Sequence, residues 1–301
     1  MKKIVFGHQN PDTDTICSAL VYALGQQQLG NEVTPYRLGD LNKETIYVLN
    51  YLKMPEPKLL TEVTNEEVVL VDHNEFSQSI KNIKEANIVA VYDHHRVANF
   101  ETKNPIDITI KPVGCTTTVL YDEFKNEKVT ITKEMAVLMV SAIISDTLLF
   151  KSPTCTAKDI KVGKDLAQIA ELDLNTYGME MLKAGTDLAE FTTNKLLDLD
   201  TKVFEIENNK YEIGQINTVD IKEVQAQRNE ELIEKITKRV VDNKLGAFIF
   251  IITDIVNSDS IAYVIGELAN EVAQKFDSQL EGNIIKLPGV VSRKKQVVPF
   301  L

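Results

Sequence analysis

Near-continuous apolar runs that each stop at an ionisable residue constrain this chain more than any other feature. Ile4-Val5-Phe6 stops at Gly7-His8, Val68-Val69-Leu70-Val71 at Asp72-His73, and Ile88-Val89-Ala90-Val91-Tyr92 at Asp93-His94-His95. Apolar runs without polar alternation mark strands buried on both faces, as in a parallel sheet. Parallel neighbours need helical crossovers, and amphipathic stretches do alternate with the runs, so the class is α/β. The reading places strands at Lys3–Gly7, Glu32–Leu38, Glu67–Asp72 and Asn87–Asp93. Helices are expected at Thr15–Leu29, closed by Gly30, and at Lys43–Met54, which stops before Pro55 and Pro57. Thr132–Ser145 is apolar around most of its circumference and reads as a central helix. Helices follow at Ala157–Leu172 and Leu174–Lys183.

The pattern changes near Ala184 to Leu188. Beyond it come a strand pair, Val203–Glu207 and Tyr211–Val219, turning at Asn208-Asn209, and a long charged helix from Asp220 to Asn243. Two further strands, Ala247–Thr253 and Ser260–Gly266, precede a helix to about Phe276 and a basic tail. Two domains are therefore expected, 1–187 with a mainly parallel sheet flanked by helices and a smaller α/β unit over 188–301.

Composition excludes several classes. With 33 Lys and Arg against 44 Asp and Glu, the net charge is −11, which speaks against a nucleic-acid partner. No apolar run approaches the ~18 residues of a membrane span; Met135 to Phe150 is broken by Ser141, Ser145 and Asp146. No membrane partner is expected. The amino terminus has too short an apolar stretch for a secretory signal and reads as the first strand. The three cysteines, Cys17, Cys115 and Cys155, form no CxxC pair, so the expectation is a reducing cytoplasm without a disulfide framework.

All four histidines, His8, His73, His94 and His95, fall at or just after the end of an expected strand, with acids beside each. In open parallel sheets the ligand crevice lies outside the carboxyl ends of the strands, so such residues converge although distant in sequence. Packing does not ask for ionisable residues there. An isolated Asp12 or Asp14 would more often cap a helix, and a single histidine at a strand end is more often structural. The combination points instead to a metal cluster. Imidazoles and carboxylates without thiolates suit Mn²⁺, Co²⁺, Mg²⁺ or Zn²⁺, and several carboxylates invite two ions. Two such ions ~3.5–4 Å apart can clamp both oxygens of an in-line phosphoryl displacement. His73 is read as a supporting or structural residue.

The ordered set His8-x-x-x-Asp12-x-Asp14, Val71-Asp72-His73-Asn74 and Asp93-His94-His95 resembles the DHH phosphoesterase superfamily, and within it family II inorganic pyrophosphatase. The likeness continues through Pro112-Val113-Gly114-Cys115-Thr116, Ser145-Asp146-Thr147-Leu148-Leu149-Phe150-Lys151-Ser152-Pro153-Thr154 and Val291-Ser292-Arg293-Lys294-Lys295-Gln296-Val297-Val298-Pro299. The resemblance implies hydrolysis of pyrophosphate to two orthophosphates by a hydroxide bridging two Mn²⁺ or Co²⁺ ions per subunit, with additional Mg²⁺ arriving with the substrate. It implies His8 and Asp12 as ligands of one ion, Asp14, His94 and Asp146 as ligands of the other, and Asp72 as the bridge. His95 resembles the family's substrate-contacting histidine, and Lys202, Arg293 and Lys294 resemble its phosphate-gripping cations. A homodimer through the first domain is also implied. Ligands and cations on different domains would put the active site in the cleft between them.

The residues themselves rank the competitors. A DHH phosphodiesterase acting on nucleotides usually carries a Gly-rich motif with histidine in its second domain, whereas this chain has no Gly-Gly pair and no histidine beyond His95. Prune-like exopolyphosphatases tend to replace the second histidine of the DHH motif, here intact. A nucleotide-sensing insertion has no room in the twenty-one positions from Asp72 to Asp93.

Overall fold

The computed structural model describes residues 2–64, 66–188, 190–207 and 209–301, with the side chains of Lys294 and Lys295 outside that description. The expected Asn208-Asn209 turn falls partly on Asn208, outside the described residues. The chain forms two compact units, Met1–Gly185 and Thr186–Leu301.

The first unit runs β1 (Lys3–Phe6), α1 (Thr13–Gln28), β2 (Val33–Arg37), α2 (Lys43–Leu52), β3 (Lys58–Leu59), β4 (Glu67–Val71), β5 (Asn87–Asp93), β6 (Asp107–Ile110), α3 (Thr116–Glu127), α4 (Lys133–Thr147), α5 (Ala157–Ala170) and α6 (Leu174–Gly185). Its six strands are ordered β3-β2-β1-β4-β5-β6, and every neighbouring pair is parallel. Ile4, Phe6, Val68, Leu70 and Val91 share a core on one face with Ile80 and Ile83. The alternate residues Val5, Val69 and Val71 are equally buried and point to the other face, where α1 and α3 pack. Burial on both sides is why the strands read as unbroken apolar runs. The order reverses between β1 and β4, and the crevice of an open α/β sheet opens at that reversal.

Several elements differ from their expected bounds. Helix α1 starts at Thr13 rather than Thr15, because the Asp12 side chain accepts from Thr15 N–H and caps it. Helix α4 runs on to Thr147, which places Asp146 in its last turn. Strands β3 and β6 and helix α3 have no counterpart in the expected elements.

The second unit runs α7 (Thr193–Asp198), β7 (Thr201–Ile206), β8 (Asn209–Thr218), α8 (Ile221–Asn243), β9 (Ala247–Asp254), β10 (Asp259–Ile265), α9 (Ala269–Lys275) and β11 (Ile284–Leu287). Its sheet order is β11-β10-β9-β8-β7. Only β8 and β9 are parallel, joined through α8; the other pairs are antiparallel. Strand β9 is buried along its whole length and divides its side chains by period two. Phe248, Phe250 and Ile252 join Leu232 and Ile236 of α8 in one core, while Ala247, Ile249 and Ile251 join Val272 of α9 in the other. The basic tail forms a π-helical turn over Arg293–Val297 followed by a 3₁₀ turn over Val298–Phe300.

Gly266 ends β10 at φ +138°, and a Cβ there would lie 2.3 Å from Gly246 O and 2.8 Å from Ala247 Cα. Both obstacles are backbone atoms of a buried strand entrance and cannot swing aside. Gly266→Ala is expected to lower stability by about 1–3 kcal/mol from backbone strain alone, with the steric clash adding to it. Urea denaturation followed by circular dichroism checks this; an unchanged midpoint would contradict the strain argument.

Candidate metal centre

The centre is built at the carboxyl ends of β1, β4 and β5. His8 lies two residues past β1, Asp72 directly past β4 and His94 directly past β5. Asp72 takes the left-handed conformation, φ 59°, which Asp tolerates better than most residues. The turn from β1 into α1 supplies Asp12, and the first turn of α1 supplies Asp14. Asp12 Oδ1 accepts the α1 capping bond from Thr15 N–H at 3.0 Å, and its Oδ2 lies 3.4 Å from His8 Nε2. Asp14 is fully buried; its Oδ1 accepts from Ser18 Oγ at 2.8 Å and its Oδ2 from Thr116 N–H at 2.7 Å. The amino ends of α1 and α3 thus both direct N–H groups at the acids, where the helix dipole favours negative charge.

Asp72, only 1 % exposed, divides its two oxygens between two groups of donors. Oδ2 lies 3.4 Å from His8 Nε2 and accepts from Thr15 Oγ1 at 2.6 Å. Oδ1 lies 3.3 Å from His94 Nε2 and accepts from Thr116 Oγ1 at 3.1 Å. His94 Nε2 also lies 3.9 Å from Asp14 Oδ2 and 3.8 Å from Asp146 Oδ2. His94 Nδ1 lies 3.1 Å from Val113 O, a bond that keeps a proton on Nδ1, so that Nε2, which faces the three acids, is the nitrogen that would give up its proton to a metal.

His8, Asp12 and Asp72 each offer one ligand atom within 4.8 Å of the others; so do Asp72, His94 and His95, and likewise Asp14, Cys115 and Asp146. All six residues expected as ligands converge on one region. Asp146 Oδ2 is buried and has no hydrogen-bond partner among the described residues, an arrangement that costs free energy unless something positive occupies the space. Four carboxylates and two imidazoles fit two divalent ions of hard to borderline character.

Protonation behaviour says the same. Burial, followed by the Asp72 charge, pushes the Asp14 carboxyl up to about 7. Burial and then Asp14 and Asp72 push Asp146 well above the carboxylate range. Burial opposes a charge on both histidines, yet Asp12 and Asp72 outweigh it and lift His8 to about 10. Asp72 and Asp14 likewise lift His94 to about 9. Asp72 itself is buried, but His8 and His94 hold its carboxyl well below its usual range.

The remaining motif residues have other surroundings. Asp93 organises its turn: Oδ1 accepts from His94 N–H at 2.7 Å, His95 N–H at 3.0 Å and His95 Nδ1 at 2.9 Å, and Oδ2 accepts from Asn74 Nδ2 at 2.7 Å. His95 is thereby anchored through Nδ1 while its side chain is 51 % exposed. His73 is buried, with Nδ1 3.0 Å from Val71 O, and joins none of the ligand groups.

Two features of the surroundings escaped sequence reasoning. Glu44, from α2, accepts from Thr13 Oγ1 at 2.7 Å and from Ser145 Oγ, tying the start of α1 to the end of α4. Just past Asp146, Leu148, Leu149 and Phe150 all have positive φ, 47°, 53° and 68°, a strained run of a kind that collects at functional sites. Leu149 and Phe150 sit against Gly178 and Gly163, where a Cβ would meet them at 2.5 and 2.7 Å. The two glycines make room for that run.

In the second unit Lys202 lies exposed on β7. The Arg293 guanidinium is buried, donating from one nitrogen to Asp200 O and, at 3.1 Å, to Ile213 O, and from the other to Asp200 Oδ1 at 2.7 Å. Asp200, Gln215, Asn217, Val291, Ser292 and Arg293 line a cavity of about 320 Å³. The Lys294 side chain lies outside the described residues.

Residues 2–143 match the model of the DHH family N-terminal domain, and residues 179–301 match the DHHA2 domain. Among curated proteins the chain is 52% identical over 302 residues to the manganese-dependent inorganic pyrophosphatase of Bacillus subtilis, with 100% of this chain and 97% of that protein covered. It is 51% identical, with the same coverage, to a protein of Brevibacillus brevis named a probable enzyme of that type. A solved structure from Methanococcus jannaschii, assigned to the family II inorganic pyrophosphatases, superposes with TM-score 0.65 at 38% identity, covering 100% of this chain and 98% of that one.

Because the neighbouring acids keep His8 and His94 charged near neutrality and an imidazole must lose its proton to bind a metal, Mn²⁺ uptake at pH 7.5 is expected to release protons. The sign follows: histidines that hold their protons more tightly make metal affinity fall as pH falls. Calorimetric titration in buffers of different ionisation enthalpy reads the release directly, and a buffer-independent heat would contradict it.

Proposed function

This chain belongs to the family II, manganese-dependent inorganic pyrophosphatases, and from that premise we propose which of its residues carry the reaction. The enzyme hydrolyses inorganic pyrophosphate to two orthophosphates and depends on manganese. In the proposed assignment His8, Asp12 and Asp72 hold one ion, and Asp14, Asp72, His94 and Asp146 hold a second. Co²⁺ substitutes for Mn²⁺, and Mg²⁺ accompanies the substrate. When bound, two such cations supply positive charge at the breaking phosphoanhydride and acidify the water that attacks phosphorus.

The chain's own groups do the rest. Asp72 carries the assignment, since each of its oxygens lies 3.3–3.4 Å from a different imidazole. Thr15 and Thr116 hold those oxygens apart by hydrogen bonds, so the carboxylate is positioned before any ion arrives. Asp93 anchors His95 through Nδ1 and raises its imidazole's proton affinity, which leaves Nε2 to donate to a phosphate oxygen. Lys202, Arg293 and Lys294 neutralise phosphate charge; the Arg fork suits such oxygens, and Arg293 must release Asp200 to reach one. Asp72 and His95 are the catalytic residues in this reading. Nucleic acid and membrane are not partners in it; no helix among the described residues is long and apolar enough to cross a membrane.

The proposal extends to a homodimer through the first unit and to a cytoplasmic setting. Strand β6 lies at the edge of its sheet with Ile108 exposed, and such an edge invites pairing. Free Cys17, Cys115 and Cys155 fit a reducing compartment.

The test is phosphate release by chelator-stripped protein with Mn²⁺, Co²⁺, Mg²⁺ or Zn²⁺ restored, from pyrophosphate, a short polyphosphate and a dinucleotide. Pyrophosphate is expected to be preferred, with Mn²⁺ or Co²⁺ most effective. Asp72→Ala is expected to abolish binding of both ions and to cut turnover by more than about a hundredfold, beyond the loss typical of an outer supporting residue. Lys202→Ala is expected to spare the ions and raise KM. Full activity in Asp72→Ala would overturn the ligand assignment.

A further inference from the structure

We propose that Asp159 is a positioning residue for the second cation, acting through the loop that joins β6 to α3. The inference rests on the assignment of Asp14, Asp72 and His94 to that ion.

The loop and the residue it delivers as the first of α3, Thr116, touch all three of those residues. Val113 O accepts from His94 Nδ1 at 3.1 Å, Thr116 N–H donates to Asp14 Oδ2 at 2.7 Å, and Thr116 Oγ1 donates to Asp72 Oδ1 at 3.1 Å. Loop backbone has no ladder of its own to hold such geometry, so an anchor is needed. Asp159, fully buried in the first turn of α5, grips the segment on both sides. Its Oδ2 accepts from Gly114 N–H at 2.8 Å and its Oδ1 from Thr118 Oγ1 at 2.7 Å.

The ordinary role of such a residue is to cap its own helix. Asp159 does so, its Oδ2 accepting from Thr156 N–H at 2.8 Å in a reciprocal capping box. That box is complete without Gly114 or Thr118. The bonds to them reach 45 and 41 residues back along the chain, serving the loop and not the helix. Space is equally committed: a Cβ on Gly114 would lie 2.9 Å from Asp159 Oδ2 and 3.0 Å from Thr147 Cγ2. Thr147 follows Asp146, so a shift of the carboxylate disturbs that ligand's helix end too.

The test is Mn²⁺ titration of the chelator-stripped full chain, by calorimetry and by electron paramagnetic resonance. Asp159→Asn keeps the shape but turns an NH₂ group toward a donor. It is expected to weaken the second Mn²⁺ by roughly 10- to 100-fold, the range for outer residues that orient ligands, and to leave the first unchanged. Asp14→Asn, which removes a ligand of the second ion alone, identifies that binding event. Val162→Ala, a buried position on α5, is expected to lower Tm without changing either affinity, which separates loop positioning from helix stability. Should Asp159→Asn not fold, Thr118→Val removes one of its bonds and is expected to weaken the second ion several-fold, toward the lower end of that range. Wild-type affinities in the folded Asp159 or Thr118 variant, or equal weakening in Val162→Ala, would overturn the proposal while leaving the ligand assignment intact. Only one binding event in the unaltered protein would overturn both.

Discussion

Asp72 is a carboxylate with almost no exposure at the end of a strand that is itself buried, and the rest of the first unit is arranged around keeping it there. Two like charges 4 Å apart repel by about 4 kcal/mol at an effective dielectric constant near 20, and Asp12, Asp14 and Asp146 all lie in its neighbourhood. What offsets this is the pair of imidazoles, His8 and His94, which hold the Asp72 carboxyl well below its usual range, together with backbone and hydroxyl donors. The amino ends of α1 and α3 face Asp12 and Asp14, and Thr15 and Thr116 donate to Asp72. Asp146 is the exception, because it lies at the carboxyl end of α4, where the helix dipole opposes its charge. It is also the acid whose Oδ2 finds no hydrogen-bond partner among the described residues and whose carboxyl burial and its acidic neighbours push well above the carboxylate range. The acid least supported by its own helix is thus the one most in need of a cation.

This arrangement explains which parts were legible in the sequence. Buried parallel strands must be apolar throughout, so an acid or imidazole at their carboxyl ends stands out, and His8, Asp72 and His94 could be found that way. Asp146 could not, since an acid closing an apolar helix carries no such contrast; only the family resemblance pointed to it. Helix α3 went unread because Thr116-Thr117-Thr118 are poor helix formers. They form one because their N–H and hydroxyl groups are taken by Asp14, Asp72, Met139 O and Asp159. Asp93, placed by the sequence within the ionisable cluster, spends its oxygens on its own turn.

The second unit was legible for a different reason. In β9 both faces are apolar, as in the first unit, but the four residues between β9 and β10 are too few for a crossover. The sheet therefore mixes orientations. Its basic tail shows where charge counting stops being informative. The family resemblance makes Arg293 a phosphate-gripping cation, yet its guanidinium lies inside, on Asp200 and the β8 backbone. A desolvated Arg with three such bonds is already largely satisfied, so an anion that uses it must supply replacements for them.

Metal choice follows from the same burial. Cys115 Sγ lies within ligand distance of Asp14 and Asp146, and a thiolate there would draw Zn²⁺ or another soft ion. Burial, followed by the Asp14 charge, pushes that thiol well above its usual range, and it bonds instead with Thr117 Oγ1 at 3.1 Å. A protonated thiol is a poor ligand. Burial, reinforced by the surrounding carboxylates, keeps this thiol protonated, and the donors otherwise gathered there among the described residues are oxygen and imidazole, the set that suits Mn²⁺. The acids that need the cation also bias which cation it is.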